Sequence, residues 1–335
     1  MPANNLLLSS SPNAFTGVDS RKIMLAVIIA LLPTTVYGVV LYGVPALLVI
    51  LTSVAAAVLA EAAFRALIKQ DVRVGDLSAV VTGLLVALIS PPSLPLWMAA
   101  LGSIAAVIFA KEFFGGLGAN PFNPALIGRA VLLMSFPAAM TTWHAPFGAL
   151  TDATTAATPL NVVKLGGSVA DVGMQIAGSN DYGTLLWTLF VGNRAGCIGE
   201  SSILLILVGF AFLLALRVVN WVTPLAMVGT TFVLSWILGM DPVFGVLSGG
   251  VVFGAVFMAT DYASSPITPL GKLIFGAGAG AITAVIRRFG GFPEGVTYGI
   301  LLMNAVAPFL DKLRVKKYGY VPAPKPAKPA KEAGK

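Results

Sequence analysis

The sequence predicts an all-α integral membrane protein of about ten transmembrane helices, arranged as two inverted five-helix repeats with a long extracytoplasmic loop between them. Three observations lead there. Hydrophobic residues make up 57% of the 335 and charged residues only 10%, against roughly a quarter charged in soluble domains. Apolar runs approaching the roughly 20 residues that cross a hydrocarbon core come in two groups of five. Short motifs of the first group recur in the second.

After a cytoplasmic segment (1–20), the first group (21–136) reads as helices over Ile23–Tyr42, Pro45–Ile68, Leu77–Ile89, Leu96–Phe114 and Pro124–Phe136, the third and fifth being short. No small-residue cleavage site follows the first run and many runs come after it, so it reads as a retained helix, not a signal peptide. A polar stretch (137–199) intervenes. The second group (200–311) reads as Ser202–Val218, Val222–Leu238, Val243–Ala259, Leu270–Ile286 and Gly295–Leu310. Residues 312–335 form a basic Pro/Ala/Lys tail with too little apolar content to pack, read as disordered.

Orientation follows from the lysines and arginines, because basic loops stay in the cytoplasm. Arg21, Lys22, Arg65, Lys69, Arg73, Lys111, Arg217, Lys272 and the tail fall on one face; Lys164, Arg194, Arg287 and Arg288 fall on the other. Both termini are therefore expected in the cytoplasm and the 137–199 stretch outside. The repeat rests on Gly75, Leu77 and Ser78 matched by Gly245, Leu247 and Ser248, on Phe114-Gly115-Gly116 matched by Phe289-Gly290-Gly291, and on two Leu-Leu-Met triplets, Leu132–Met134 and Leu301–Met303. An odd number of helices per unit makes a duplicated unit insert in opposite senses, and such repeats place a functional site between the halves.

Charge and cysteine usage exclude some classes. The net charge of +7 does not imply a nucleic-acid partner, since eight of the 21 basic residues lie between Lys312 and Lys335. Cys197 is the sole cysteine: it forms no internal disulfide and holds no cluster alone. It reads as a small packed residue or as a ligand shared with a partner subunit. His144, the sole histidine, has no second ligand beside it and does not suggest a metal site.

Five segments carry chemistry. Asp152 to Thr158, in the outside stretch, is a run of small and hydroxylated residues headed by an acid, where an added group is sterically tolerated and a threonine hydroxyl can take a phosphoryl ester. On composition alone the run is an ordinary loop. Asn120-Pro121 and Asn123-Pro124 hold both asparagines out of helical geometry at membrane depth; irregular backbone there lines a protected site, or the asparagines cap a broken helix. Arg129 within a short helix costs about 2.5–3.5 kcal/mol unless partnered or able to reach water. Its readings are an anion contact, an ion path or snorkelling. Asp261 ends a segment beside several hydroxyls, where it would face the asparagine pair between the halves. Glu61, an acid inside a helix, is the other ion-pathway candidate beside Asp261, or it pairs with Arg65 one turn on.

The outside run resembles the target pattern of flavin transferases: Asp, two variable residues, Ser or Thr, Gly, Ala, then Thr or Ser. Asp152 heads it, Thr155 fills its inner hydroxyl position, and Thr158 falls at the acceptor, while Ala156 stands where glycine is usual. That run, Asn120–Leu126 with Gly128-Arg129, Gly199-Glu200-Ser201 and Phe257–Asp261 occur in order between about Ser9 and Asp311. Together they resemble the D-subunit family of the Rnf electron-transport complex. The B subunit of the sodium-translocating NADH:quinone reductase is related, but the longer N-terminal extension of that subunit is missing.

The resemblance implies FMN joined to Thr158 by a phosphoester and a second, noncovalent flavin, riboflavin, near Asn120, Asn123 and Asp261. It implies a bacterial inner-membrane complex that passes electrons between ferredoxin and NAD while moving Na⁺ or H⁺. Its implied partners are an iron–sulfur and NADH-oxidising module, a second covalently flavinylated subunit, small membrane subunits, and a flavin transferase for maturation. No catalytic residue and no metal is implied on this chain. A secondary transporter or a flavin-uptake protein would share the repeats and broken helices but has no use for the outside threonine motif.

Overall fold

The computed structural model describes residues 19–147, 158–291 and 294–314, so Asp152 and Thr155 lie outside the described residues. The described residues contain helices and no strand. The first group is α1 (Ser20–Tyr42), α2 (Val44–Leu67), α3 (Ser78–Leu88), α4 (Leu96–Ala110) and α5 (Pro124–Ser135). The connecting stretch holds α6 (Pro137–Thr141), α7 (Pro159–Lys164), α8 (Val169–Ala177) and α9 (Tyr182–Val191). The second group is α10 (Ile203–Ala215), α11 (Val222–Ile237), α12 (Pro242–Leu247), α13 (Val251–Phe253), α14 (Pro269–Phe289) and α15 (Val296–Leu310). Among the described residues four helices are long and apolar enough to cross a membrane: α1, α2, α4 with its extension to Phe114, and α14.

Helix α1 shows why these runs pack as they do. Its buried face carries Ala26, Ala30, Thr34 and Gly38, while Leu25, Leu32, Val36 and Val40 point outward. With lipid as solvent, large apolar side chains gain nothing by leaving the surface, and small residues let backbones approach. At Gly38 a Cβ would stand 2.7 Å from the Ile198 carbonyl oxygen, so only glycine permits that contact. Four helices start by one rule, a capping oxygen followed by proline: Asn123-Pro124, Thr158-Pro159, Asp241-Pro242 and Thr268-Pro269.

The groups pack by matching rules. In the first, α2 lies on α3 and α4, and α4 on α5; in the second, α11 lies on α12 and α14, and α14 on α15. The contacts α1 with α10 and α5 with α15 join the groups.

Two expectations need correction. Val243–Ala259 is not one helix: Ser248 is extended (φ −95°, ψ 146°) and Gly249 takes φ +66°, which ends α12, and α13 then continues into a π-helix over Gly254–Met258. The guanidinium of Arg287 makes the break tolerable by donating to the carbonyls of Gly245 and Ser248. The 137–199 stretch is also more than an open loop. Ser168 and Asp171 form a reciprocal cap on α8, Asp181 caps α9, and Gly178 and Gly192 close these helices at positive φ.

Candidate functional site

Between the groups lies a small cavity bounded by α1, α3, α5, α10 and the segment after α13. Its polar lining includes Ser78, Lys111, Asn120, Asn123, Thr260 and Asp261; Val27, Leu85, Leu213 and Phe257 are among its apolar walls. Asn120 donates from Nδ2 to the Phe122 carbonyl and to Asp261 Oδ2, both at 3.1 Å. Asn123 Oδ1 accepts from Leu126 N, and its Nδ2 donates to the Met258 carbonyl at 3.2 Å. Both readings of the asparagines hold at once: Asn123 caps α5, and both reach across to the second group.

Asn304 of α15 completes this network, accepting from Asn123 N at 3.2 Å and donating to the Ser264 carbonyl at 2.9 Å. Ser264 Oγ donates to Asp261 Oδ2 at 2.8 Å. Burial pushes the Asp261 carboxyl above its ordinary value, with the hydrogen bonds from Ser264 and Asn120 pulling it back. Asn304 gives no signal in the sequence beyond being an amide in an apolar run.

Glu61 is fully buried, and its nearest partner is not Arg65, one turn on at 3.8 Å, but Lys111 Nζ at 2.5 Å. Arg65 turns instead to Glu112, at 3.0 Å. The remaining lysine hydrogens matter too, since Nζ donates to Ser78 Oγ at 2.6 Å. Outside this cluster a polar vestibule of about 690 Å³ opens among Asp19, Arg65, Lys69, Arg73 and Asp76. In the sequence Lys111 reads only as one more basic residue near a helix end.

Arg129 neither snorkels nor lines the cavity. It is buried, donating to the Ile89 carbonyl, to Cys197 Sγ at 3.2 Å and to Glu294 Oε2 at 2.6 Å. The carboxylate contact is thus the reading that holds, with a partner 165 residues away. Arg194 donates to the carbonyls of Leu247 and Glu200 nearby. Cys197, Glu200 and Glu294 bring one ligand atom each within 4.8 Å of one another, but Arg129 already occupies the sulfur and one carboxylate. Burial and the Glu294 charge push the Glu200 carboxyl up to about 8, and burial with Glu200 pushes the Cys197 thiol up.

Thr158 stands at the N-cap of α7, 4% exposed, its Oγ1 accepting from Asn161 N at 3.2 Å. Lys164, at the other end of α7, donates to the Arg287 carbonyl at 2.6 Å, and Leu160 lies against Gly249 at the break after α12. Burial and the neighbouring Arg288 charge pull the Lys164 ammonium down.

Long apolar helices with large side chains outward, and a polar network drawn between two helix groups, define a helical membrane protein with an internal site. The family model described as the NQR2, RnfD, RnfE family matches residues 7–319, and the chain belongs to that family. Among its relatives, the D subunit of the proton-translocating ferredoxin:NAD(+) oxidoreductase complex of Clostridium ljungdahlii is 44% identical over 316 residues, 92% of this chain and 94% of that one. The D subunit of the Na(+)-translocating ferredoxin:NAD(+) oxidoreductase complex of Acetobacterium woodii is 41% identical over 330 residues, covering 97% and 98%. The D subunit of an ion-translocating oxidoreductase complex of Stutzerimonas stutzeri is 40% identical over 339 residues, covering 92% and 95%.

Proposed function

We propose that this chain is the D-type membrane subunit of an ion-translocating ferredoxin:NAD oxidoreductase complex, carrying electrons through a flavin on Thr158 and a second flavin between its helix groups. The observation that carries the reading is the Asn120–Asp261 hydrogen bond at 3.1 Å, which draws a carboxylate and two amides from separate groups onto one cavity. The names of the relatives supply the reaction, and the coupling ion is H⁺ in one relative and Na⁺ in another.

The lining suits a flavin chemically. Amides and a carboxylate match the alternating donors and acceptors of the ring edge, and apolar walls match its faces. In volume it is closed down: about 90 Å³, where ligand pockets run about 300–1,000 Å³. A ring therefore enters only as wall residues part: Leu117 and Tyr262 stand exposed at its rim, and Tyr262 must give up its hydroxyl's bond to the Val218 carbonyl to do so. Bound there, a flavin would supply electron and proton acceptance. Asn120, Asn123 and Asp261 would orient it, while the walls exclude water.

Thr158 suits a phosphoester. In the α7 cap its oxygen accepts from Asn161 N, a role an ester oxygen keeps, and at 4% exposure the hydroxyl must first come to the surface for FMN to be joined to it. With the 137–199 stretch extracytoplasmic and both termini cytoplasmic, two inverted five-helix repeats account for the odd helix number. The matching packing of α2 on α4 and of α11 on α14 supports that arrangement. Iron–sulfur and NADH-oxidising subunits, a second flavinylated subunit and small membrane subunits complete the complex, and a flavin transferase loads Thr158.

Mass spectrometry of the native chain should find FMN on the peptide containing Thr158, and in-gel flavin fluorescence should vanish in Thr158→Ala while the protein still inserts. Fluorescence retained in that variant sinks the covalent assignment. A secondary transporter could also use the cavity between the groups; a native chain free of covalent flavin, moving solute without a redox partner, would favour it.

A further inference from the structure

The buried lysine at the end of α4 costs more than packing requires. Moving two ions out of water carries a penalty of several kcal/mol each, and an apolar pair of similar volume often serves stability as well. Lys111 is 2% exposed and Glu61 0%, so the pair implies a role other than cohesion. Its surroundings supply one. Ser78 Oγ donates to Asp76 Oδ1 at 2.6 Å and accepts from Lys111 Nζ at 2.6 Å. Asp76 lines the polar vestibule, whereas Ser78 and Lys111 line the cavity between the helix groups. The chain of three side chains thus begins at water and ends at the closed site.

We propose that Asp76, Ser78 and Lys111 are a proton path between the vestibule and the cavity, with Glu61 holding Lys111 in place. The proposal rests on the flavin reading above, which supplies the proton acceptor and, through the partner subunits, the electrons. With a flavin held there, Lys111 would break an Nζ–H bond and supply that proton to the cavity on reduction, leaving a neutral amine. Ser78 passes its hydroxyl proton to Nζ. Asp76, protonated from vestibule water, passes its own proton to Ser78 Oγ and returns to carboxylate. One proton enters from water for each one consumed, and no bond between heavy atoms changes. Oxidation reverses the order, and the hydroxyl of Ser78, now turned toward Asp76, is set for that outward direction. A serine hydroxyl rotates freely enough to serve both. Glu61 Oε2 grips Lys111 at 2.5 Å, and its other oxygen has no hydrogen-bond partner among the described residues, with Arg65 Nε 3.8 Å away; the carboxylate steadies the ammonium and is a positioning residue.

The test uses the whole purified complex, reduced rapidly in weakly buffered solution with a pH-indicating dye. Ser78→Ala removes the middle link without changing charge. Proton uptake should slow by roughly 100-fold, the usual worth of a positioned acid–base group, and Asp76→Asn should slow it similarly. Ser78→Thr, which restores a hydroxyl, should recover most of the rate. The covalent flavin found on Thr158 and the thermal midpoint of the complex should stay at wild-type values in Ser78→Ala, which a general structural lesion would not allow. Uptake within about twofold of wild type in Ser78→Ala, with the flavin present, overturns the path. A wild-type complex releasing no flavin on denaturation overturns the flavin reading and the path together, and it registers in a different measurement.

Discussion

Around Glu61 each buried cation faces a carboxylate: Lys111 reaches Glu61, and Arg65 reaches Glu112. Around Arg129 the cations behave differently, because much of their bonding goes to main-chain oxygens. Arg129 meets the Ile89 carbonyl, Arg194 those of Leu247 and Glu200, and Arg287 those of Gly245 and Ser248. The first cluster lies within one helix group, beside a vestibule and a cavity. The second lies where helices stop, and it ties the end of α3 and α5 to the loop before α15. The difference teaches what each cation is for. A lysine paired with an acid and a hydroxyl can exchange its proton, whereas a guanidinium forked onto carbonyls replaces helix hydrogen bonds that the broken backbone has lost.

Arg129→Met is the harshest way to probe that contrast. It strands the Ile89 carbonyl and the Glu294 carboxylate, and a loss of about 3–5 kcal/mol is expected, read as a collapse in yield and in the thermal midpoint of the detergent-solubilised chain. A wild-type midpoint would mean that the second cluster is not a tie. Lys111→Met should cost less, about 2–3 kcal/mol, since Glu61 can escape by taking a proton. Adding Glu61→Gln should recover most of that loss, because removing both partners leaves no stranded charge. If the double variant is as unstable as the sum of the singles, the two side chains are not coupled and the contrast fails.

Glu200→Gln is the gentlest probe and reads out through pH. Unfolded, this carboxyl releases its proton near its ordinary value of 4.5; folded, it keeps the proton until about 8. Between those values the folded chain binds more protons, so stability is full at low pH and falls as pH rises through that window. With glutamine there, this part of the decline should disappear, and the variant should gain on wild type from about pH 5 to pH 8 in thermal scans. Parallel curves would place the raised carboxyl elsewhere.

Much of the helix layout is legible in hydropathy alone. The run Leu96–Phe114 and the start at Pro124 match the structure closely, because proline after a capping residue fixes a helix start. That Asn120, Asn123 and Asp261 meet is legible for a related reason: proline forces the asparagine backbone out of a helix, and a polar group stranded in an apolar run must find a partner. Lys111 with Glu61, and Arg129 with Glu294, are not. Those partners sit 50 and 165 residues apart, and no local pattern records which faces will meet. The break at Ser248–Gly250 is hidden for the same reason, since it depends on Arg287 from another helix. The short helices α7 to α9 escape hydropathy because they lie in a polar stretch, although Ser168 with Asp171 is a recognisable cap signature.

The seat of α7 has a mechanical corollary. Its lysine is bonded to the end of α14 and its leucine rests on the gap after α12, so the segment that starts at Thr158 is moored to the second helix group. Cargo riding on that threonine would hold its distance to Val251–Phe253 and the residues beyond, whatever the groups do. Its distance to Asn120 and Asn123 would change if one group rocked on the other, which makes the spacing between two cargo positions a gauge of that rocking.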